Sequence, residues 1–173
     1  MFLEKLEAEG LLDKSILVIY GDHNGVPYGY MEDLYKLDKV NNPNELDYFM
    51  YQKVPLLIHF PKDEYSGLNN KYVGQMDIYP TIANLFNLNN PYMFGNDILD
   101  SSQNKVLFSS GSFIDKNIVY FSSSNCYYDI SSGKKMPPSE YLKNLTNQYK
   151  KELNYSETIL KNDLIKTFAK NNP

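Results

Sequence analysis

The sequence has 173 residues and a formal net charge of -4 at pH 7, and all 17 of its basic residues are lysines. That acidic balance argues against a nucleic-acid-binding surface, which needs clustered basic side chains, so no nucleic acid partner is expected. The single cysteine, Cys126, excludes an internal disulfide and a thiolate metal cluster, and no stretch approaches the roughly 20 apolar residues that cross a bilayer.

The first half of the chain predicts a short helix followed by two buried strands. Residues 1–12 carry apolar and charged side chains near a helical spacing. Residues 15–20 (SILVIY) and 54–60 (VPLLIHF) are continuous apolar runs, which is typical of strands covered on both faces in a parallel sheet. Between them, residues 26–50 predict a surface loop that includes a short helix at 31–40.

The second half predicts one helix, three strands and two terminal helices. Residues 76–88 carry an apolar stripe at helical spacing, with Asp77 as the N-terminal cap. Amphipathic patterns predict the two terminal helices at 139–153 and 156–170. The three strand-like runs are residues 105–109, 118–122 and 126–130, of which the last two are close enough to form a hairpin.

This order of elements predicts an α/β fold with a mostly parallel sheet flanked by helices, a small antiparallel C-terminal sheet and terminal helices. A proline pair at 137–138 separates residues 1–136, which contain the strands, from residues 137–173, a helical extension of the same domain. In open α/β sheets the chemistry lies beyond the carboxyl ends of the strands. The residues that follow each apolar run are therefore the first candidates for a site.

Asp22 and His23 follow directly on the first apolar run and are the best candidates for a metal site. A carboxylate and an imidazole suit a divalent cation such as Mn²⁺, Zn²⁺ or Mg²⁺. Successive side chains of a strand point to opposite faces, so both can reach one ion only if the chain turns, and Gly21 and Gly25 permit that turn. On spacing alone, a solvated loop is the competing interpretation, and two ligands are fewer than a catalytic site needs.

The other candidates for chemistry have structural interpretations. His59 lies inside the second apolar run and is expected to be a core histidine whose ring N–H is satisfied. Cys126 is expected to be an inert buried thiol, and Asp97 and Asp115 stand in turn-like contexts. The sequence contains no G-x-S-x-G nucleophile elbow and no glycine-rich phosphate loop.

The segment 11–25 (LLDKSILVIYGDHNG) resembles the metal-binding strand and loop of the sulfatase-type branch of the alkaline phosphatase superfamily. Within that branch it is most similar to the lipoteichoic acid synthase and phosphoglycerol transferase family. Four further segments resemble the same family in the same order, so the resemblance covers nearly the whole chain. They are residues 54–61 (VPLLIHFP), 69–88 (with the "D-x-x-P-T" helix), 93–99 (MFGNDIL) and 109–134, the C-terminal strands.

The resemblance implies an alkaline-phosphatase/sulfatase-like fold, of which this chain is a part. It also implies one divalent metal ion, Mn²⁺ in the first instance, with Mg²⁺ or Zn²⁺ as alternatives. Asp22 and His23 match the family's Asp-His ligand pair, whereas its Glu ligand and Thr nucleophile precede Met1 in the family's order, so no catalytic residue is assigned within this chain. Gln75 stands where some relatives of the broader superfamily have a metal-binding His, which favours a one-metal transferase over a two-metal phosphatase.

By resemblance, the chain is expected to be the C-terminal fragment of a metal-dependent phosphoglycerol transferase at the extracellular face of the cell membrane, anchored by segments absent from these residues. That enzyme moves glycerophosphate from phosphatidylglycerol to a growing lipoteichoic-acid-type polymer. The upstream half of its own domain is the expected partner, and the isolated fragment is expected to be inactive. The alternatives are a sulfatase or phosphodiesterase of the same superfamily, and a non-catalytic polymer-binding module.

Overall fold

The computed structural model describes residues 1–88, 93–100, 102 and 104–171, and the chain divides into two compact units, Met1–Asn70 and Lys71–Pro173. None of the helices in this described part is long and apolar enough to cross a membrane. The division of the domain at residue 136 stays a prediction.

The first unit contains three short helices and a two-stranded ladder. Its helices are α1 (Phe2–Ala8), α2 (Met31–Leu37) and α3 (Glu45–Met50), and its strands are β1 (Leu17–Tyr20) and β2 (Leu56–His59). α1 and α2 confirm the helices predicted at residues 1–12 and 31–40. Met31, at the start of α2, is buried and anchors that helix.

β1 and β2 pair antiparallel, with Leu17 opposite His59 and Tyr20 opposite Leu56. This corrects the prediction of a mostly parallel sheet for this part of the chain. Neither strand is covered on both faces as predicted, since Ile19, Tyr20 and Leu57 are exposed. A continuous apolar run also carries no information about the direction of the neighbouring strand.

Helix α3 was not predicted, although a capping box precedes it. The Asn44 side chain accepts hydrogen bonds from the backbone N–H groups of Leu46 and Asp47, at 2.7 and 3.3 Å. In return, the Asp47 carboxylate accepts the N–H of Asn44 at 2.8 Å. These bonds satisfy N–H groups that the first turn of a helix leaves without a partner, so the short helix begins at Glu45.

Within its described residues, the second unit contains a five-stranded antiparallel sheet and three α-helices. The helices are α4 (Ile78–Leu85), α5 (Glu140–Lys161) and α6 (Leu164–Asn171). The strands lie side by side in chain order and are β3 (Lys105–Leu107), β4 (Phe113–Asp115), β5 (Ile118–Phe121), β6 (Cys126–Asp129) and β7 (Lys134–Met136). The small antiparallel C-terminal sheet and the β5–β6 hairpin are as predicted, whereas β4 and β7 have only three residues each and were missed.

The core of the second unit is an aromatic cluster between this sheet and α5. The rings of Phe113 and Tyr149 meet edge to face with centroids 4.9 Å apart, and Phe113, Tyr120 and Tyr127 are stacked across neighbouring strands. The Tyr149 hydroxyl donates a hydrogen bond to Asp115 at 2.8 Å. Burial and this carboxylate both raise the pKa of Tyr149, so the phenol remains a hydrogen-bond donor.

The break between the two terminal helices lies further along the chain than predicted, between Lys161 and Leu164. α5 runs without interruption to Lys161, so Ser156, the first residue of the predicted second helix, lies inside it. The chain turns instead at Asn162 and Asp163, where Asp163 has a φ of +49°. An interior serine costs a helix only a few tenths of a kcal/mol, which the packing of α5 on the sheet readily offsets.

Hydrogen bonds join two of the segments that resemble the family, residues 69–88 and 93–99. The buried Asp77 carboxylate accepts the N–H groups of Gly74 at 2.7 Å and Asn96 at 2.8 Å, rather than capping α4 as predicted. Thr81 donates from its hydroxyl to the Asp77 carbonyl and accepts the N–H of Ile98 at 2.9 Å. The "D-x-x-P-T" helix therefore holds the 93–98 segment in place. Burial raises the pKa of Asp77, and the two N–H groups oppose that rise.

Candidate metal centre

The loop Gly21–Gly25 follows β1 and is fastened at both ends to the segment that enters β2. The N–H of Gly21 donates to the carbonyl of Pro55 at 3.1 Å, and the N–H of Gly25 donates to the carbonyl of Gln52 at 3.4 Å. Backbone hydrogen bonds therefore hold the loop on both sides of residues 22–24, which lie between the two glycines.

Both glycines are needed because the two segments approach closely. A Cβ at position 21 would lie 2.6 Å from the Cβ of Val54. A Cβ at position 25 would lie 2.6 Å from the backbone carbonyl oxygen of Lys53 and 3.1 Å from that of Tyr51. Any larger residue at position 25 would have to displace the backbone of residues 51–53. Glycine is therefore required there as long as the loop keeps this position.

The side chains of Asp22 and His23 lie side by side in solvent. Each is 86% exposed, and the His23 Nε2 atom is 3.9 Å from the nearer Asp22 carboxylate oxygen. That separation is shorter than two metal–ligand bonds of about 2.0–2.2 Å placed end to end, so both atoms can reach one cation. The turn that the glycines were expected to permit has brought the two groups to the same side.

The tautomer of His23 is set by a backbone contact that the sequence did not reveal. The Nδ1 atom of His23 lies 2.9 Å from the carbonyl oxygen of Asn24. A carbonyl can only accept, so Nδ1 carries the hydrogen and Nε2 keeps its lone pair in the neutral ring. An N–H held by a carbonyl is the usual support of a metal-binding histidine, and the free nitrogen is the one beside Asp22.

The donor set fits part of a divalent metal site. Imidazole nitrogen and carboxylate oxygen suit Mn²⁺ or Zn²⁺, and the carboxylate also suits Mg²⁺. Among the residues that the structure describes, no group of three or more His, Cys, Asp or Glu side chains could hold an ion. On its own, the pair would supply only two of the ligands that such a site needs.

The other candidate residues have structural partners. In His59, Nε2 lies 3.2 Å from the Leu12 carbonyl and Nδ1 lies 3.2 Å from an Asp63 carboxylate oxygen, as predicted for a satisfied histidine.

Asp97 accepts hydrogen bonds from the Asn84 amide and from the N–H of Leu99. Asp115 accepts from Tyr149, and Gln75 lies in the 3-10 turn before α4. Cys126 is half-buried rather than buried, and its thiol donates to the Ser124 carbonyl.

Comparison with known proteins gives matches of three kinds. The sulfatase family profile matches residues 1–88, which include both Asp22 and His23. The chain is 35% identical to lipoteichoic acid synthase 2 of Bacillus subtilis (strain 168), over 99% of this chain and 27% of that protein. It is 32% identical to the lipoteichoic acid synthase of Staphylococcus aureus (strain USA300), over 98% of this chain and 26% of that protein. These residues thus span about a quarter of the length of those curated relatives.

A solved structure is also similar to this one. The crystal structure of the lipoteichoic acid synthase LtaP from Listeria monocytogenes superimposes with a TM-score of 0.76 and 26% sequence identity. The match covers 93% of this chain and 42% of that chain. The α/β class, with its small antiparallel C-terminal sheet and terminal helices, therefore agrees with a partial sulfatase-like domain.

Proposed function

The chain belongs to the sulfatase family, and on that premise we propose that it is the C-terminal part of a phosphoglycerol transferase of lipoteichoic acid synthesis. The lipoteichoic acid synthases among its relatives, matched over almost the whole chain, support this choice. In the proposed reaction, glycerophosphate passes from phosphatidylglycerol to a growing glycerophosphate polymer. We place this reaction at the extracellular face of the cell membrane.

The observation that carries the proposal is the geometry of Asp22 and His23. The His23 Nε2 lone pair and an Asp22 carboxylate oxygen lie 3.9 Å apart, both in solvent. These two side chains would hold one divalent ion, Mn²⁺ in the first instance, with Mg²⁺ or Zn²⁺ as alternatives. When bound, such an ion supplies a Lewis acid that polarises a phosphoryl oxygen. Asp22 contributes the negative charge that balances part of the cation, and the Asn24 carbonyl keeps the His23 ring in the metal-binding tautomer.

We assign the Thr nucleophile and the remaining metal ligands to the part of the relatives' length that this chain does not cover. The ladder of the first unit offers a surface for that part. Ile19 and Leu57 are paired across β1 and β2, so they lie on the same face, and they are 49% and 59% exposed. A cross-strand pair of large aliphatic side chains in water is costly, and we propose that the upstream half of the domain covers it.

Manganese titration followed by NMR tests the metal site, because the chain has only two histidines. Paramagnetic Mn²⁺ at substoichiometric amounts should broaden the ring signals of His23 before those of His59. His59 serves as an internal reference, since it pairs with Leu17 at the end of the ladder away from the loop. His23→Gln and Asp22→Asn should each abolish the selective broadening.

Asp13→Asn is the matched control, because it removes one exposed carboxylate elsewhere in the same unit and should leave the His23 response unchanged. Equal broadening of both histidines, or a response that survives Asp22→Asn, would contradict the metal assignment and favour a non-catalytic module. A second assay follows diacylglycerol release from phosphatidylglycerol vesicles. The 173-residue chain should release none, and turnover by it would show that the nucleophile had been assigned to the wrong segment.

A further inference from the structure

The charge of the chain is unevenly distributed along its length. Residues 143–173 contain six lysines and three acidic residues, whereas the preceding residues contain 11 lysines and 18 acidic residues. The C-terminal end is therefore basic on a protein whose net charge is -4. A basic segment on an otherwise acidic chain indicates attraction to an anionic partner.

The last part of this basic segment, residues 160–171, also exposes apolar side chains, and we call it the C-terminal tail. Leu160 is 72% exposed at the end of α5, and in α6 Ile165 and Phe168 are 40% and 43% exposed. Ile165 and Phe168 are three positions apart and share one face of α6, while Lys166 stands on the opposite side of the helical wheel.

We propose that the C-terminal tail lies on the surface of an anionic lipid bilayer. Its aliphatic and aromatic side chains would enter the interface between headgroups and acyl chains, and its lysines would meet the lipid phosphates. A soluble polyanion would use the lysines but gains nothing from the exposed apolar side chains. The combination therefore favours lipid over a free polymer. This inference does not depend on the metal site, so either can fail without the other.

Vesicle co-sedimentation of the whole 173-residue chain tests the proposal. Binding should be strong to phosphatidylcholine vesicles that contain phosphatidylglycerol, weak to phosphatidylcholine alone, and reduced by added salt. Lys166→Gln should weaken partition into the anionic vesicles about fivefold, the usual effect of one lysine near an anionic surface. Lys14→Gln is the matched control, since it removes one exposed lysine outside the tail and should change partition less than twofold.

The apolar contribution is tested separately. Ile165→Asn should weaken binding severalfold and Ile165→Leu should restore it, with circular dichroism used to show that helix content is retained. Failure to bind anionic vesicles, or equal losses for Lys14→Gln and Lys166→Gln, would overturn the proposal. A third outcome would overturn the proposal in favour of a free polyanion. In that outcome, binding to soluble polyphosphate requires Lys166, and Ile165→Asn changes neither polyphosphate binding nor vesicle binding. Self-association that buries the tail would overturn it in favour of a second copy of the chain.

Discussion

Substitution of Gly25 by alanine should displace the loop that carries Asp22 and His23. The new Cβ would lie 2.6 Å from the Lys53 carbonyl oxygen, and an ordinary C···O separation is about 3.3 Å, so the gap must widen by about 0.7 Å. Two backbone carbonyls face the site, and backbone cannot rotate away as a flexible side chain can. Strain of this kind costs about 1–3 kcal/mol.

Two smaller effects modify that cost. The hydrogen bond from Gly25 to Gln52, already 3.4 Å long, would be lost, at about 0.5–1.5 kcal/mol. Alanine also lowers the conformational entropy of the unfolded chain, which stabilises the folded state by about 0.4–1 kcal/mol. The net loss in free energy of unfolding should be about 2 kcal/mol. Because the loop must move at its second attachment, Mn²⁺ broadening of the His23 signals should weaken as well.

The control is Gly29→Ala. A Cβ at position 29 meets no atom within 4 Å, and the residue has no positive φ. It should therefore leave stability unchanged or slightly raised, with the His23 response intact. Urea unfolding followed by tyrosine fluorescence measures the stability, and the Mn²⁺ titration measures the site. If Gly25→Ala and Gly29→Ala behave alike, the close approach at Gly25 does not constrain the loop. If Gly25→Ala loses stability but keeps the His23 response, the attachment does not position the ligands.

Three further predictions concern the second unit. Phe113→Ala should lower the free energy of unfolding by about 3–5 kcal/mol in urea titrations, because the ring is fully buried among tyrosines; a loss below about 1 kcal/mol would contradict that packing. Tyr149→Phe removes a hydrogen bond to a carboxylate and should cost about 1.5–3 kcal/mol, whereas Tyr141→Phe, at an exposed site on the same helix, should cost nothing measurable. Since the pKa of folded Asp77 is raised above its ordinary value of 3.8, the folded state binds that proton more tightly and loses stability as the pH rises through the folded pKa. Asp77→Asn cannot titrate at this position, so the difference in free energy of unfolding between wild type and Asp77→Asn should become smaller as the pH rises above 3.8. An unchanged difference would refute the raised pKa of Asp77.

Sequence patterns predicted the elements whose stability is local. The apolar stripe of α5 and the β5–β6 hairpin follow from residues close together in the chain, and both are as predicted apart from the position where α5 ends. The relative direction of β1 and β2 was predicted wrongly, because it depends on a partner strand more than 30 residues away. Helix α3 could have been found from its N-x-x-D box, since Asn44 and Asp47 have the spacing of reciprocal caps.

For the candidate metal site, the residue types could be read from the sequence but their arrangement could not. Asp22 and His23 were identified because a carboxylate and an imidazole follow a strand, and the two glycines indicated a turn. Their separation of 3.9 Å and the tautomer of His23 depend on the Asn24 carbonyl and on the attachment to Gln52, which are backbone contacts. Backbone carbonyls are common to every residue, so no side-chain pattern can identify them in advance.

The consecutive strand order of the second unit has a consequence for its biogenesis. Each strand of the β3–β7 meander hydrogen-bonds to the one made just before it. A nascent chain can therefore add strands one by one as it emerges from the ribosome, with little entropy lost to loop closure. Helix α5 is translated after all five strands and shields the aromatic face, so ribosomes that stall before residue 140 would leave Phe113 and Tyr120 open to chaperones and proteases.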